Sequence, residues 1–160
     1  MDHLWSPWRY QYVSKSGPPA GCIFCIKGSE QRDRENYVVH RGLRTFVILN
    51  IYPYSTGHLM IAPYEHIASL EPASEAILNE IMQTARLAEI HLRQIYQPQG
   101  FNIGMNLGES AGAGVPGHIH VHVLPRWSGD TNFMTTVSET RVLPESLDVT
   151  FEKLKKAFES

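Results

Sequence analysis

Gly117-His118-Ile119-His120-Val121-His122-Val123-Leu124 is the stretch from which the fold and the chemistry can both be read. Histidines alternate with branched apolar residues. In an extended strand successive side chains point to opposite faces. His118, His120 and His122 therefore share one face, and Ile119, Val121 and Val123 share the other. One face suits a core; the other carries a row of imidazoles. A lone strand histidine is usually no more than a half-buried polar residue. A row of them costs desolvation and mutual repulsion unless each has a partner. Two chemistries give the row a purpose: a metal site with several histidine ligands, or an imidazole that attacks an electrophile while a neighbour manages the proton. The run from Gly108 to Gly117 contains Gly112 and Gly114, so backbone N–H groups can approach oxyanions closely there. An imidazole facing such a phosphate pocket points to in-line attack on phosphorus; the bland reading of the glycines is a flexible loop.

The rest of the chain supplies a frame for this strand. Tyr37–His40 and Thr45–Leu49 are short β-branched and aromatic runs separated by Arg41-Gly-Leu-Arg44, the pattern of a hairpin. His58–Ala62 reads as a third strand stopped by Pro63, and Phe101–Asn106 as a fourth; the histidine stretch is the fifth. Between the third and fourth, Ile77, Ile81, Ala85, Ala88, Leu92 and Ile95 recur at steps of three or four. That stripe predicts a long helix from about Pro72–Ser74 to Tyr96, ended by Pro98-Gln-Gly100. Lys27–Asn36 reads as a loop or short helix, His66–Leu70 as a helical turn, and Thr135–Val142 as ambiguous. Leu147, Phe151, Leu154 and Phe158 predict a C-terminal helix. Strands joined by tight turns, with helices between and after them, argue for α+β with a five-stranded antiparallel sheet. The expected organisation is an N-terminal arm over 1–20, a domain over 21–134, and a C-terminal extension with its helix over 135–160.

Composition narrows the function classes. The chain has 160 residues, enough for one domain with a proper core. Its 14 basic and 16 acidic residues give a formal charge of −2, which does not point to a nucleic-acid polymer as partner. No apolar run reaches membrane-spanning length, so the expected location is the cytoplasm. The two cysteines form Cys22-Ile-Phe-Cys25, which in a reducing compartment reads as a metal knuckle or redox pair before a disulfide. A closed tetrahedral zinc site needs two more ligands. His66 and His118 are candidates by position; His3, His40 and His91 are weaker ones, and His91 reads as a solvated helix residue. The arm carries Trp5, Trp8 and Tyr10 on a segment too short to bury them, which argues for a second subunit.

These residues carry a resemblance. His118-Ile-His-Val-His-Val-Leu124 resembles the signature of the histidine triad (HIT) family of nucleotide hydrolases and transferases. Leu49-Asn50 followed by Gly57-His58-Leu-Met-Ile-Ala-Pro63, then Phe101-Asn-Ile-Gly-Met-Asn106, the glycine loop and Val123-Leu-Pro-Arg126, match the family in order. Leu4-Trp-Ser-Pro-Trp-Arg9, Tyr52-Pro-Tyr54 and Pro125–Phe133 are similar to a branch that includes bacterial diadenosine tetraphosphate phosphorylases. The resemblance implies a HIT-like fold, paired as a homodimer. It implies His120 as nucleophile, His122 on the phosphate and leaving group, and His58 orienting the row. It also implies Asn50 at the ribose, and Asn106 with the backbone of Gly114 and Val115 at the phosphates. Relatives with a CxxC bind zinc through the counterparts of Cys22, Cys25, His66 and His118, a set with no open position, so the zinc would be structural. Mg²⁺ is expected, if anywhere, with the substrate. Many members carry a polar pair where this chain has Gly114-Val115, so phosphate contacts there fall to backbone N–H groups.

The implied activity is phosphorolysis or hydrolysis of a dinucleoside polyphosphate through a nucleotidyl-histidine. Hydrolysis of nucleoside phosphoramidates or adenylyl compounds and nucleotide binding without turnover are the alternatives. A uridylyltransferase would share the zinc ligands but resembles His-Pro-His-Gln at the active strand. A catalytic metal held by all three strand histidines would leave the cysteines idle.

Overall fold

The alternating pattern builds a five-stranded antiparallel sheet, in a computed structural model that describes residues 21–130 and 143–160. Its strands are β1 (Val38–Arg41), β2 (Thr45–Leu49), β3 (Leu59–Pro63), β4 (Gly100–Gly104) and β5 (Val121–Arg126), in the order β1-β2-β3-β5-β4. The helices are α1 (Ile23–Ser29), α2 (Asp33–Asn36), α3 (Glu75–Tyr96) and α4 (Leu147–Phe158). The aromatic arm over 1–20, His3 and Thr135–Val142 lie outside the described residues.

The sheet separates two apolar layers. On one side Val47, Leu49, Leu59, Ile61, Ile119, Val121 and Val123 meet the α3 stripe and Phe151 and Leu154 of α4. On the other, Phe24 of α1 packs with Val38, Phe46, Ile48 and Ala62. β2 is therefore buried along its whole length, which explains why Thr45-Phe-Val-Ile-Leu49 shows no polar alternation. Phe151 is 2% and Leu154 0% exposed, and burial of such a side chain contributes roughly 1.5–3 kcal/mol.

α3 forms where its periodicity places it. Ser74 caps it, its hydroxyl accepting from Ile77 N–H at 3.3 Å, and the helix ends with Gln97 in the left-handed region at φ 47°. Glu80 fixes α3 to the β1–β2 turn: Oε1 accepts from Arg44 N–H at 2.7 Å, Thr45 N–H at 2.9 Å and the Thr45 hydroxyl at 3.0 Å. Gly57, at φ 78°, makes the turn into β3. A Cβ there would lie 2.9 Å from Leu92 Cδ2, so the bare backbone lets the turn press onto α3 and delivers His58 to the start of the strand.

Several local features differ from expectation. The CxxC lies at the start of a helix, with Cys22 at its N-cap. Propensity alone does not support so short a helix; Phe24 anchors it from within, and Arg41 holds its end. The Arg41 guanidinium donates to the carbonyls of Gly28 at 2.7 Å and Glu30 at 2.5 Å, and to Asp33 at 2.8 Å. His66–Leu70 is not helical; instead the Ile67 carbonyl accepts from Ile119 N–H at 2.7 Å, which extends the histidine segment's pairing. The β5 ladder starts at Val121, so His118 and His120 precede it on irregular backbone. β4 stops at Gly104, two residues short of Asn106. His91 is not a solvated residue: its ring packs against Phe158 with centroids 4.6 Å apart, and burial pulls its pKa down.

Candidate active site and metal centre

The segment from His118 to His122, which runs into β5, carries the histidines on the face away from α3, as the alternation requires. His118 is 1% and His120 4% exposed, while His122 is half-buried. Phe24 covers the first two, its ring 5.3 Å from His118 and 4.8 Å from His120. Register sets His122 opposite Met60 on β3 and Gly104 on β4. His58 arrives from the turn before β3.

Their hydrogen-bond partners assign each ring a tautomer. His120 Nδ1 lies 2.9 Å from the His118 carbonyl, which can only accept; Nδ1 carries the proton and Nε2 keeps a lone pair. His58 Nδ1 accepts from Tyr54 N–H at 3.1 Å, so its proton is on Nε2, 2.8 Å from His122 Nδ1. Neutral His122 then holds its proton on Nε2. Adjacent imidazoles with centroids 5.0 Å apart thus present opposite functions: a lone pair on His120 and an N–H donor on His122. Burial keeps both uncharged. It pulls His120 below the ordinary imidazole range, against the opposing hydrogen bond to His118. It pushes His122 down to about 4, with the His120 charge adding to the effect.

At the other end of the row the sulfurs and imidazoles converge. Cys22 Sγ lies 3.2 Å from His118 Nδ1, Cys25 Sγ 3.3 Å from His66 Nδ1 and 3.6 Å from His118 Nδ1. All four ligand atoms fall within 4.8 Å of one another and can hold a metal ion. A tetrahedral ion with ordinary Zn–S and Zn–N bonds has S···N edges of about 3.5 Å, so the spacing and the S₂N₂ donor set fit zinc. His118 Nε2 donates to the Pro63 carbonyl at 2.9 Å, which leaves Nδ1 as the ligand atom. Burial, ahead of the neighbouring Cys22, pushes the Cys25 thiol up, a cost that a bound cation reverses.

A model for the "HIT domain" matches residues 31–129. The chain belongs to the HIT domain family. It is 37% identical over 156 residues to "AP-4-A phosphorylase" of Mycobacterium tuberculosis (strain ATCC 25618 / H37Rv), covering 92% of this chain and 79% of that protein. It is 27% identical over 93 residues to "Bis(5'-nucleosyl)-tetraphosphatase [asymmetrical]" of Schizosaccharomyces pombe, over 58% of this chain and 50% of that one. Among solved structures, a zinc-bound histidine triad family protein from Mycobacterium smegmatis superposes with a TM-score of 0.70 at 25% identity, covering 87% of this chain and 94% of that one.

This HIT domain brings His58, His120 and His122 together, and Cys22, Cys25, His66 and His118 together. Asn50 lies beside them: Nδ2 is 3.4 Å from His58 Nδ1 and Oδ1 accepts from Tyr52 N–H at 2.9 Å. Asn106 is tied to the glycine loop through the Gly112 carbonyl at 3.4 Å; Gly114 is exposed, and Val115 packs toward the Phe24 cluster. Two contributors escaped the sequence reading. Phe24 is the residue between the cysteines, and its role appears once α1 is known. Tyr54 supplies the N–H that sets His58, and its ring lies 4.8 Å from His58 and 6.2 Å from His122. The Tyr-Pro-Tyr run was its sequence signal.

Proposed function

We propose that this protein transfers a nucleotidyl group from a dinucleoside polyphosphate, through His120, to inorganic phosphate, with water as the competing acceptor. The observation that carries the reading is the pair of opposite tautomers. His120 Nε2 attacks the α-phosphorus; a P–N bond forms and the P–O bond to the leaving nucleoside polyphosphate breaks. The departing chain needs no proton, and the His122 N–H hydrogen-bonds the oxygen on which charge grows. Phosphate oxygen then displaces His120, giving a nucleoside diphosphate and regenerating neutral imidazole; water would give the monophosphate and release a proton. The chain's own share is positioning and charge stabilisation. Asn50 is assigned to the ribose, and Asn106 with the N–H groups of Gly114 and Val115 to the phosphates. The relative named a phosphorylase supports phosphate as acceptor.

Cys22, Cys25, His66 and His118 are assigned a structural zinc; with four protein donors it supplies no open coordination position. Mg²⁺ enters only as a companion of the substrate. Pairing as a homodimer is supported by β4, an edge strand on which Ile103 is 44% exposed. No helix among the described residues is long and apolar enough to cross a membrane, and a cytoplasmic setting suits two reduced cysteines.

The test is turnover of diadenosine tetraphosphate with and without inorganic phosphate. ADP plus ATP that require phosphate support the proposal; AMP plus ATP regardless of phosphate make the enzyme a hydrolase, and no turnover overturns it. A pH profile checks the electrostatics. The internal phosphates of the substrate do not titrate near neutrality, so the single-turnover rate of the first step reports the enzyme. His122 is lowered to about 4 and His120 is lowered as well, so the rate is expected to stay level as pH falls through the free-imidazole value of about 6.5 and to drop only below it. Stability has the same sign: the unfolded chain takes up protons first, so stability declines as pH falls below about 6.5. A rate that halves at 6.5 or above contradicts the desolvated, neutral pair.

A further inference from the structure

We propose that Cys22 and Cys25 form a reversible oxidation site: a hydroperoxide converts them to a disulfide, which expels the zinc and slows transfer through His120. The proposal rests on the structural-zinc and nucleotidyl-transfer readings above. CxxC spacing suits a metal knuckle or a redox pair, and the first use does not exclude the second. These are the chain's two cysteines, so no other disulfide within the chain competes. Both are free thiols at the start of α1, and their sulfurs lie within 4.8 Å of each other in the ligand cluster. A bound cation keeps a coordinated thiol deprotonated, and the thiolate is the form that attacks a peroxide.

The cluster is open along one edge. His118 is buried, but both cysteines are only half-buried and His66 is exposed. The Cys25–His66 contact lies at the surface, and the Cys22–His118 contact is part-buried. Cys25 is therefore the sulfur that a small peroxide reaches first. Its thiolate attacks the terminal peroxide oxygen; the O–O bond breaks, the other oxygen leaves with the electron pair and takes a proton from solvent, and Cys25 becomes a sulfenic acid. The Cys22 thiolate then attacks that sulfur; an S–S bond forms, the S–O bond breaks, and hydroxide leaves to become water. Two electrons pass from the sulfurs to the peroxide. Neither sulfur keeps the charge that holds a cation, so the metal is lost to solvent. The loss reaches His120 through backbone. His118 keeps its bond to the Pro63 carbonyl but no metal. His66 sits on an irregular turn over residues 64–70, whose Ile67 carbonyl accepts from Ile119 N–H at 2.7 Å, between the first two histidines. Freed at His66, this turn loosens the backbone that sets the nucleophile. Phe24 and Arg41 still hold α1, so the two thiols return to the same place on reduction.

The experiment treats the zinc-loaded wild type with hydrogen peroxide and follows zinc with a chromogenic chelator, free thiols by titration and the intact mass of the chain. About one zinc per chain should be released, together with loss of both thiols and a mass lower by two hydrogens. The kcat for diadenosine tetraphosphate should fall about tenfold or more, and a phosphine reductant followed by zinc should restore it. Imidazole is itself a zinc ligand, so Cys25→His keeps four donors but leaves Cys22 no partner. That variant should release zinc at least about tenfold more slowly under the same peroxide. Zinc that stays bound through the treatment, release as fast from Cys25→His as from wild type, or sulfinic acids that the reductant does not reverse overturn the oxidation site and leave the structural zinc standing. Disulfide formation with unchanged kcat overturns its control of transfer. Wild type that carries no zinc as purified overturns the zinc reading, and this proposal with it. A protein that transfers nothing in either state overturns the nucleotidyl reading and the control of transfer, while zinc, thiols and mass still decide the disulfide.

Discussion

Replacing His120 with asparagine is expected to lower kcat for diadenosine tetraphosphate by about 10⁴-fold or more, close to 5.5 kcal/mol of transition-state stabilisation. The side chain is 4% exposed, and its Nδ1 is committed to the His118 carbonyl, so the only reactive atom it offers is Nε2. Asparagine keeps a donor near that carbonyl and fits the space, but has no nucleophilic nitrogen. The substrate should therefore still bind, with a dissociation constant within a few-fold of wild type. His122→Gln retains an N–H donor and should lose less, on the order of 10²-fold, since one directed hydrogen bond of this kind contributes about 2.7–4 kcal/mol at most. Quenching the wild type with substrate labelled at the α-phosphate should trap an acid-labile, base-stable label on the chain, absent from His120→Asn. Turnover of His120→Asn near the wild-type rate, or a label that persists in it, overturns the nucleophile assignment.

What sequence made legible was whatever repeats. The i, i+2 alternation around His120 separated a core face from a chemical face, and the apolar clusters respect it at Ile119, Val121 and Val123. The α3 stripe, with its Ser74 cap, follows from helical periodicity. Residues whose role comes from non-local contacts were illegible. α1 has too few residues to be a helix on propensity; it is held by Arg41 from β1 and by its own Phe24, which packs onto Val38, Phe46, Ile48 and Ala62 of the sheet. The β5 ladder starts at Val121, opposite Ile61, although β3 runs on to Pro63; Ile119 N–H pairs instead with the Ile67 carbonyl, a contact the histidine pattern does not show. His91 looked solvated because its partner, Phe158, is many turns away on another helix. In the site, the difference between His120 and His122 is not in their side chains at all. It comes from the backbone groups they reach: the carbonyl of His118, and the N–H of Tyr54 through His58.

That dependence on backbone makes the metal centre matter to the chemistry. The carbonyl that sets the His120 tautomer belongs to His118, whose ring is held by Pro63 on one side and faces the cysteines on the other. Protein purified without added metal is expected to carry about one zinc per chain, and Cys22→Ser less than a tenth of that. A site saturated a thousandfold above its dissociation constant stabilises the fold by about 4 kcal/mol. Losing it should lower Tm by roughly 10 °C for a domain of this size. The fold should survive, because the α3 and α4 layer does not touch the cysteines. Cys22→Ser should therefore keep its far-ultraviolet spectrum while its kcat falls more than its affinity for nucleotide, since a loosened His118 misorients His120 without removing the binding groups. Treating wild type with a strong chelator should reproduce the Tm loss, and returning zinc should reverse it. A metal-free wild type with an unchanged Tm would refute the structural zinc. A zinc-depleted protein with full kcat would show that the His118 carbonyl is held in place by the sheet and Pro63 alone.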